Sequence, residues 1–197
     1  MTDEAFKKCV EFHGHTCPGL AIGFRGAQIL TDRLGVRKSA DEELVAVVET
    51  DACSSDAIQV MTGCTFGKGN FVFKNYGKHA FSLTDRKQGR TFRVCLRPDV
   101  LNALRDHRVL IEKVRSGQAN QEETDRYRTL QQQRIESILN APAESLFKIE
   151  EVSPFIPSEA KVVESAPCDS CGELTKIDLL CEVDGRKTCI PCAQKRG

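Results

Sequence analysis

The chain has 197 residues, and its 28 Lys and Arg balance 28 Asp and Glu, so no net field points toward nucleic acid or an anionic membrane surface. Its apolar runs are too short to span a bilayer, and its acidic, mixed start (MTDEAFKKCVEF) does not read as a signal peptide, which together predict a cytoplasmic protein. Ten cysteines in that compartment point to metal or catalysis rather than disulfides, and the lack of Trp speaks against a base-stacking surface.

In chain order, residues 18–34 (PGLAIGFRGAQILTDRL) predict a helix, with Pro18 in its first turn and Gly35 ending it. The Val-rich run 43–50 predicts a buried strand. Ser54, Ser55 and Asp56 offer caps for a second helix near 56–61, which Gly63 stops. Three strands are expected next, from residues 70, 79 and 90, separated by turns at Tyr76-Gly77-Lys78 and Lys87-Gln88-Gly89. The order predicts an α+β fold, an α-β-α-β-β-β core with helices on one face of a sheet, over residues 1–98.

Residues 99–149 read as a charged helical arm, two helices (99–117 and 121–140) broken at Ser116-Gly117. The stripe Tyr127, Leu130, Arg134, Ile135, Ile138 and Leu139 suits either a second copy of the chain or the chain's own core. Residues 150–167 carry Pro154, Pro157 and Pro167 and read as a linker. The last segment, 168–197, holds Cys168-x-x-Cys171 and Cys189-x-x-Cys192, with 17 residues between the pairs. A tail this short has little core to bury, and four thiolates in two knuckles form a closed shell for Zn²⁺. Asp184-Gly185 supplies the hairpin turn such a ribbon needs. The site is expected to be structural, because four protein ligands leave no position for chemistry.

Three constellations in the core carry ligand-type residues. In His13-Gly14-His15-Thr16-Cys17-Pro18-Gly19, extended backbone would point residues 13, 15 and 17 to one side. Imidazole and thiolate suit a borderline-soft divalent metal, and the helix start after Cys17 is expected to lower its thiol pKa. The second constellation, Glu49-x-Asp51-x-Cys53-x-x-Asp56, sits at a strand-to-helix turn. If the strand runs antiparallel to the first helix, Cys53 comes beside Cys17. In the third, Thr62-Gly63-Cys64-Thr65-Phe66-Gly67-Lys68-Gly69-Asn70, the spacing excludes a Walker A loop and leaves only a loose anion site. An intact helix would put Cys64 about 16 Å from Cys53, so Cys64 joins the site only through a bent helix or a second copy of the chain. Cys9, Cys95 and Cys181 read as small buried residues. His107 reads as solvated, and His79 receives no role.

Taken together, these three segments resemble the FmdE family, named for the E component of molybdenum or tungsten formylmethanofuran dehydrogenase. The resemblance runs over roughly residues 5–100 and implies an α+β core, dimerisation and a metal-associated cleft. Members commonly carry a C-terminal zinc finger, which residues 168–192 fit. The molybdopterin and iron–sulfur chemistry of that complex belongs to its other components.

The expectation is therefore a metal-binding accessory protein of formylmethanofuran or formate-type dehydrogenase chemistry. A core site of His15 and Cys17 with Cys53 or Cys64 holds Zn²⁺ or another transition metal, and the ribbon holds a structural zinc. Cys17, His15 and Asp56 are the candidate catalytic groups, with Asp51 or Asp56 orienting a ligand or accepting a proton. The partners expected are a second copy of the chain, oxidoreductase subunits and a small-molecule substrate, and neither a membrane nor nucleic acid. Two alternatives remain open: a metal-free enzyme using Cys17 as nucleophile with His13 or His15 as base, and a protein-docking module.

Overall fold

The computed structural model describes residues 2–103, 108–157 and 163–195, which fall into two compact units divided after Glu159. In the first unit the chain opens with a helix that the sequence reading does not include, α1 (Thr2–His13). Its stripe of Ala5, Phe6, Cys9 and Val10 faces the core, and the Phe6 ring meets Phe24 edge-on at 5.2 Å. Gly14, at φ +88°, ends α1 in a conformation few other residues adopt, and its N–H caps the Val10 carbonyl. The central helix α2 (Pro18–Leu34) starts and stops where Pro18 and Gly35 predict and buries ten of its residues.

The sheet comes next. The wholly buried β1 (Leu44–Val48) is followed by α3 (Ser54–Thr62) and β2 (Phe71–Phe73), a parallel crossover that pairs Ala46 with Phe71. Two antiparallel strands, β3 (Ala80–Asp85) and β4 (Arg90–Leu96), complete the expected set. A fifth strand, β5 (Phe147–Val152), closes the order β2-β1-β3-β4-β5. The sequence reading divides residues 147–152 between arm and linker. FKIEEV is too polar to announce a strand, and only pairing with β4 (Leu96 to Phe147, Val94 to Ile149) makes it one. The chain stays with this unit beyond the strand: Arg86 donates to the Pro157 carbonyl at 3.0 Å, and the Lys74 ammonium lies 3.9 Å from the Phe155 ring centre.

The arm contains α4 (Pro98–Ala103), α5 (Arg108–Arg115) and α6 (Gln121–Asn140), with His107 outside the described residues. The expected break at Ser116-Gly117 is present. Asn120 and Glu123 then start α6 with reciprocal side-chain caps. Of the two fates open to the apolar stripe, the chain's own core takes part of it. Ile135 and Ile138 are buried there, and Arg25 of α2 donates to the Ala141 carbonyl at 2.8 Å. Tyr127 and Leu130, farther out, are only half-buried. A one-turn helix, α7 (Ala143–Leu146), leads into β5.

The second unit pairs β6 (Ser165–Pro167) with β7 (Leu174–Lys176), and β8 (Leu180–Val183) with β9 (Arg186–Cys189), before a short α8 (Ile190–Gln194). The second hairpin turns at Asp184-Gly185, as the sequence predicts, with both residues at positive φ.

Candidate metal centre

The core site is assembled where α2 and α3 cross. Gly23 makes this crossing possible: a Cβ there would stand 2.1 Å from the Ser54 carbonyl oxygen and 2.6 Å from its Cα. One turn earlier, a Cβ on Gly19 would meet the Cys53 Cβ at 3.3 Å. Two bare positions on one face of α2 thus let the start of α3 come close enough to set Cys53 against Cys17. The turn before α3 is held by Ser55, whose hydroxyl donates to the Thr50 carbonyl at 2.7 Å. The expected juxtaposition of Cys53 and Cys17 is present.

The ligand atoms of His13, His15, Cys17 and Cys53 all lie within 4.8 Å of one another. They converge by a different route from the one expected. Residues 13–17 are not an extended strand. His13 ends α1, the chain turns at Gly14, and Cys17 caps α2 with its sulfur accepting the Leu20 N–H at 3.3 Å. His13 Nδ1 lies 2.7 Å from Asp56 Oδ2. A carboxylate there accepts from Nδ1, which leaves Nε2 facing inward, 3.9 Å from Cys17 Sγ, as the atom a neutral imidazole would offer to a metal. The two imidazoles pack with ring centres 4.4 Å apart.

This arrangement redistributes the expected roles. His13 joins the ligand group, and Asp56 orients it from behind. Sequence reasoning names His13 only within its motif and as an alternative base. The missed signal is the helical stripe of α1, which places His13 one turn after Cys9 and Val10 on the inward face. Asp51 is exposed and stands outside the ligand group. Cys64 does not join it either within one chain. The helix α3 is unbroken over Ser54–Thr62, and Cys64 lies past its far end, fully buried, with burial pushing its thiol pKa up. The expectation of a lowered Cys17 pKa is also corrected. Burial raises it to about 11 and the neighbouring Cys53 adds to that, outweighing the Leu20 and Gly19 N–H groups.

In the second unit, Cys168, Cys171, Cys189 and Cys192 likewise bring their sulfurs within 4.8 Å of one another. The Cys168 sulfur accepts the Cys189 N–H at 3.2 Å and the Ser170 N–H at 3.4 Å. The Cys189 N–H, with those of Cys171 and Ser170, lowers its pKa to about 6. The neighbouring thiols go the other way: against the Glu173 N–H, the Cys168 thiol and burial push Cys171 up to about 12, and, against the Cys192 N–H, burial with the Cys192 thiol raises Cys189. Both clusters are sets of donors that could hold a metal ion.

Fold and donor sets define an α+β protein with a histidine–cysteine group in its first unit and a four-cysteine hairpin unit following in sequence. Residues 12–148 match the family described as FmdE, Molybdenum formylmethanofuran dehydrogenase operon, and the chain belongs to that family. It is 32% identical over 194 residues to a probable S-adenosyl-L-methionine-binding protein of Archaeoglobus fulgidus, with 93% of this chain and 50% of that protein aligned. The chain thus spans about half the length of that relative. Its fold is similar to the crystal structure of a tungsten formylmethanofuran dehydrogenase FmdE-like protein from Syntrophus aciditrophicus, at a TM-score of 0.67 and 22% identity, covering 98% of this chain and 92% of that one. No described helix is long and apolar enough to cross a membrane.

Proposed function

We propose that this FmdE-family chain is a metal-binding accessory protein working beside a molybdenum or tungsten formylmethanofuran dehydrogenase, or a related formate-type enzyme. The observation that carries the reading is the convergence of His13, His15, Cys17 and Cys53 within 4.8 Å, with Asp56 bonded to the outer nitrogen of His13. A carboxylate behind a ligating histidine fixes its tautomer and ring orientation, as in many metal centres. Two thiols and two imidazoles suit Zn²⁺ or another borderline-soft divalent ion. With all four donors engaged the shell would be closed; with one of them released, the ion would supply Lewis-acid chemistry to a small polar molecule. The chain's own contribution is to hold the thiols together, to aim His13, and to keep Cys17 and His13 partly shielded from water. In the second unit, the four-cysteine cluster takes a structural zinc. Oxidoreductase subunits, a second copy of the chain and a small-molecule substrate are the partners this reading names.

The test is metal content per chain. The full chain is expected to carry two ions by mass spectrometry, and Cys17→Ser one. Unchanged stoichiometry in Cys17→Ser would remove the core centre from the account.

One observation favours a second reading, a metal-free thiol enzyme: Asp56, His13 and Cys17 line up as orienter, base and nucleophile. It gives no role to Cys53. Rapid alkylation of Cys17 in the metal-bearing protein would support it; alkylation that begins only after a chelator is added supports the metal centre.

A further inference from the structure

The four donors of the core centre are anchored unequally. His13 is held by Asp56 at 2.7 Å, and its side chain is only 11% exposed. The Cys17 sulfur is fixed as the cap of α2 by the Leu20 N–H. Cys53 lies at the start of α3, against the bare face of Gly19. His15 differs from all three. It stands exposed in the loop between two helices, and among the described residues its ring makes no hydrogen bond, only the tilted stack on His13. A ligating imidazole gains orientation and basicity from a partner on its second nitrogen. Without one, and open to solvent, it is the weakest of the four.

We propose that His15 is an exchangeable ligand, so that the centre keeps its metal through His13, Cys17 and Cys53 and opens a position to an incoming small thiol. The inference rests on the core metal reading above. The entering class follows from the donors. A position beside two thiolates on a borderline-soft ion favours a donor softer than the imidazole it displaces, and a thiolate meets that condition where a carboxylate does not. The metal–nitrogen bond to His15 breaks as the metal–sulfur bond forms, the proton the thiol gives up passes to solvent, and the displaced ring can swing into water without leaving a buried polar atom unpaired.

The experiment uses the full chain loaded with Co²⁺, whose visible absorption reports the ligand set. The Cys17→Ser spectrum, which carries the ribbon site alone, is subtracted. His15→Ala is expected to keep the core cobalt, bound more weakly than in wild type and with altered bands, whereas His13→Ala loses it. Millimolar imidazole is expected to return the His15→Ala spectrum toward wild type, and 2-mercaptoethanol to shift the wild-type bands without releasing metal. Loss of core cobalt from His15→Ala as complete as from His13→Ala would overturn the proposal, since His15 would then be an obligate ligand. An unaltered His15→Ala spectrum would overturn it too, since His15 would then be no ligand. Wild-type protein with no core cobalt would instead fail the metal reading itself.

Discussion

Replacing Gly23 with Ala tests how the α2–α3 crossing builds the centre. The added methyl would meet backbone, with the Ser54 oxygen at 2.1 Å and its Cα and carbonyl carbon at 2.6 and 2.7 Å. Backbone cannot rotate away as a side chain can, so the start of α3 must retreat by about 1 Å to regain ordinary contact. Such overpacking costs roughly 1–3 kcal/mol, offset in part by the better helix propensity of Ala, worth up to about 1 kcal/mol. The retreat also carries Cys53 away from Cys17 and Asp56 away from His13. Core metal affinity is therefore expected to fall by a factor of about ten or more, on the scale of losing an orienting partner. Gly26→Ala is the control. Its methyl would meet the Phe81 ring at 3.0 Å, on the sheet side of α2, so stability falls while metal affinity holds. The assays are thermal unfolding of the metal-free protein and competition for the metal with a chromophoric chelator. A Gly23→Ala protein that melts and binds like wild type would refute the reasoning.

Asp56→Asn keeps the shape of the side chain but removes the charge behind His13, and a competition titration is expected to show a roughly 10- to 100-fold loss of core metal affinity with the fold unchanged. Removing the ribbon metal with Cys168→Ser, which leaves the core donors in place, is expected to open residues 163–195 to protease while the first unit melts as before, because a four-cysteine unit this small draws its folding energy from the ion. A truncation after residue 157 is expected to keep the first unit folded, whereas one after 149 halves β5, strips cover from β4 and lowers the melting temperature. Glu43 gives the pH dependence. The Ser39 hydroxyl and the Asp41 N–H hold its carboxyl at about 2 instead of the usual 4.5. Folding lowers this pKa, so the contribution is complete above 4.5 and is lost as pH falls toward 2. Glu43→Gln is therefore expected to be less stable than wild type near neutrality and to converge with it in acid; equal differences at both pH values would contradict this.

Local chemistry made much of the molecule legible in sequence. Pro18 and Gly35 bracket α2 because each has a backbone preference that acts without help from the rest of the fold. The Val-rich β1 and the turns between strands follow for the same reason, and so does the ribbon, whose cysteine spacing is a ligand geometry written along the chain. The pairing of Cys17 with Cys53 was also within reach, since one antiparallel step from helix to strand returns the chain to its start. Three features were beyond local signals. The strand β5 exists because β4 offers it an edge. Cys64 leaves the centre because α3 runs unbroken and holds it at the far end. Asp56 finds His13 across 43 residues only because Gly19 and Gly23 let two helices meet backbone to backbone. Sequence by itself determined the donor types, the caps and the Cys-x-x-Cys spacing, all properties of neighbours along the chain. Tertiary structure alone decided that His13 and not Cys64 joins His15, Cys17 and Cys53, and how firmly each donor is held, because those depend on how closely two helices approach.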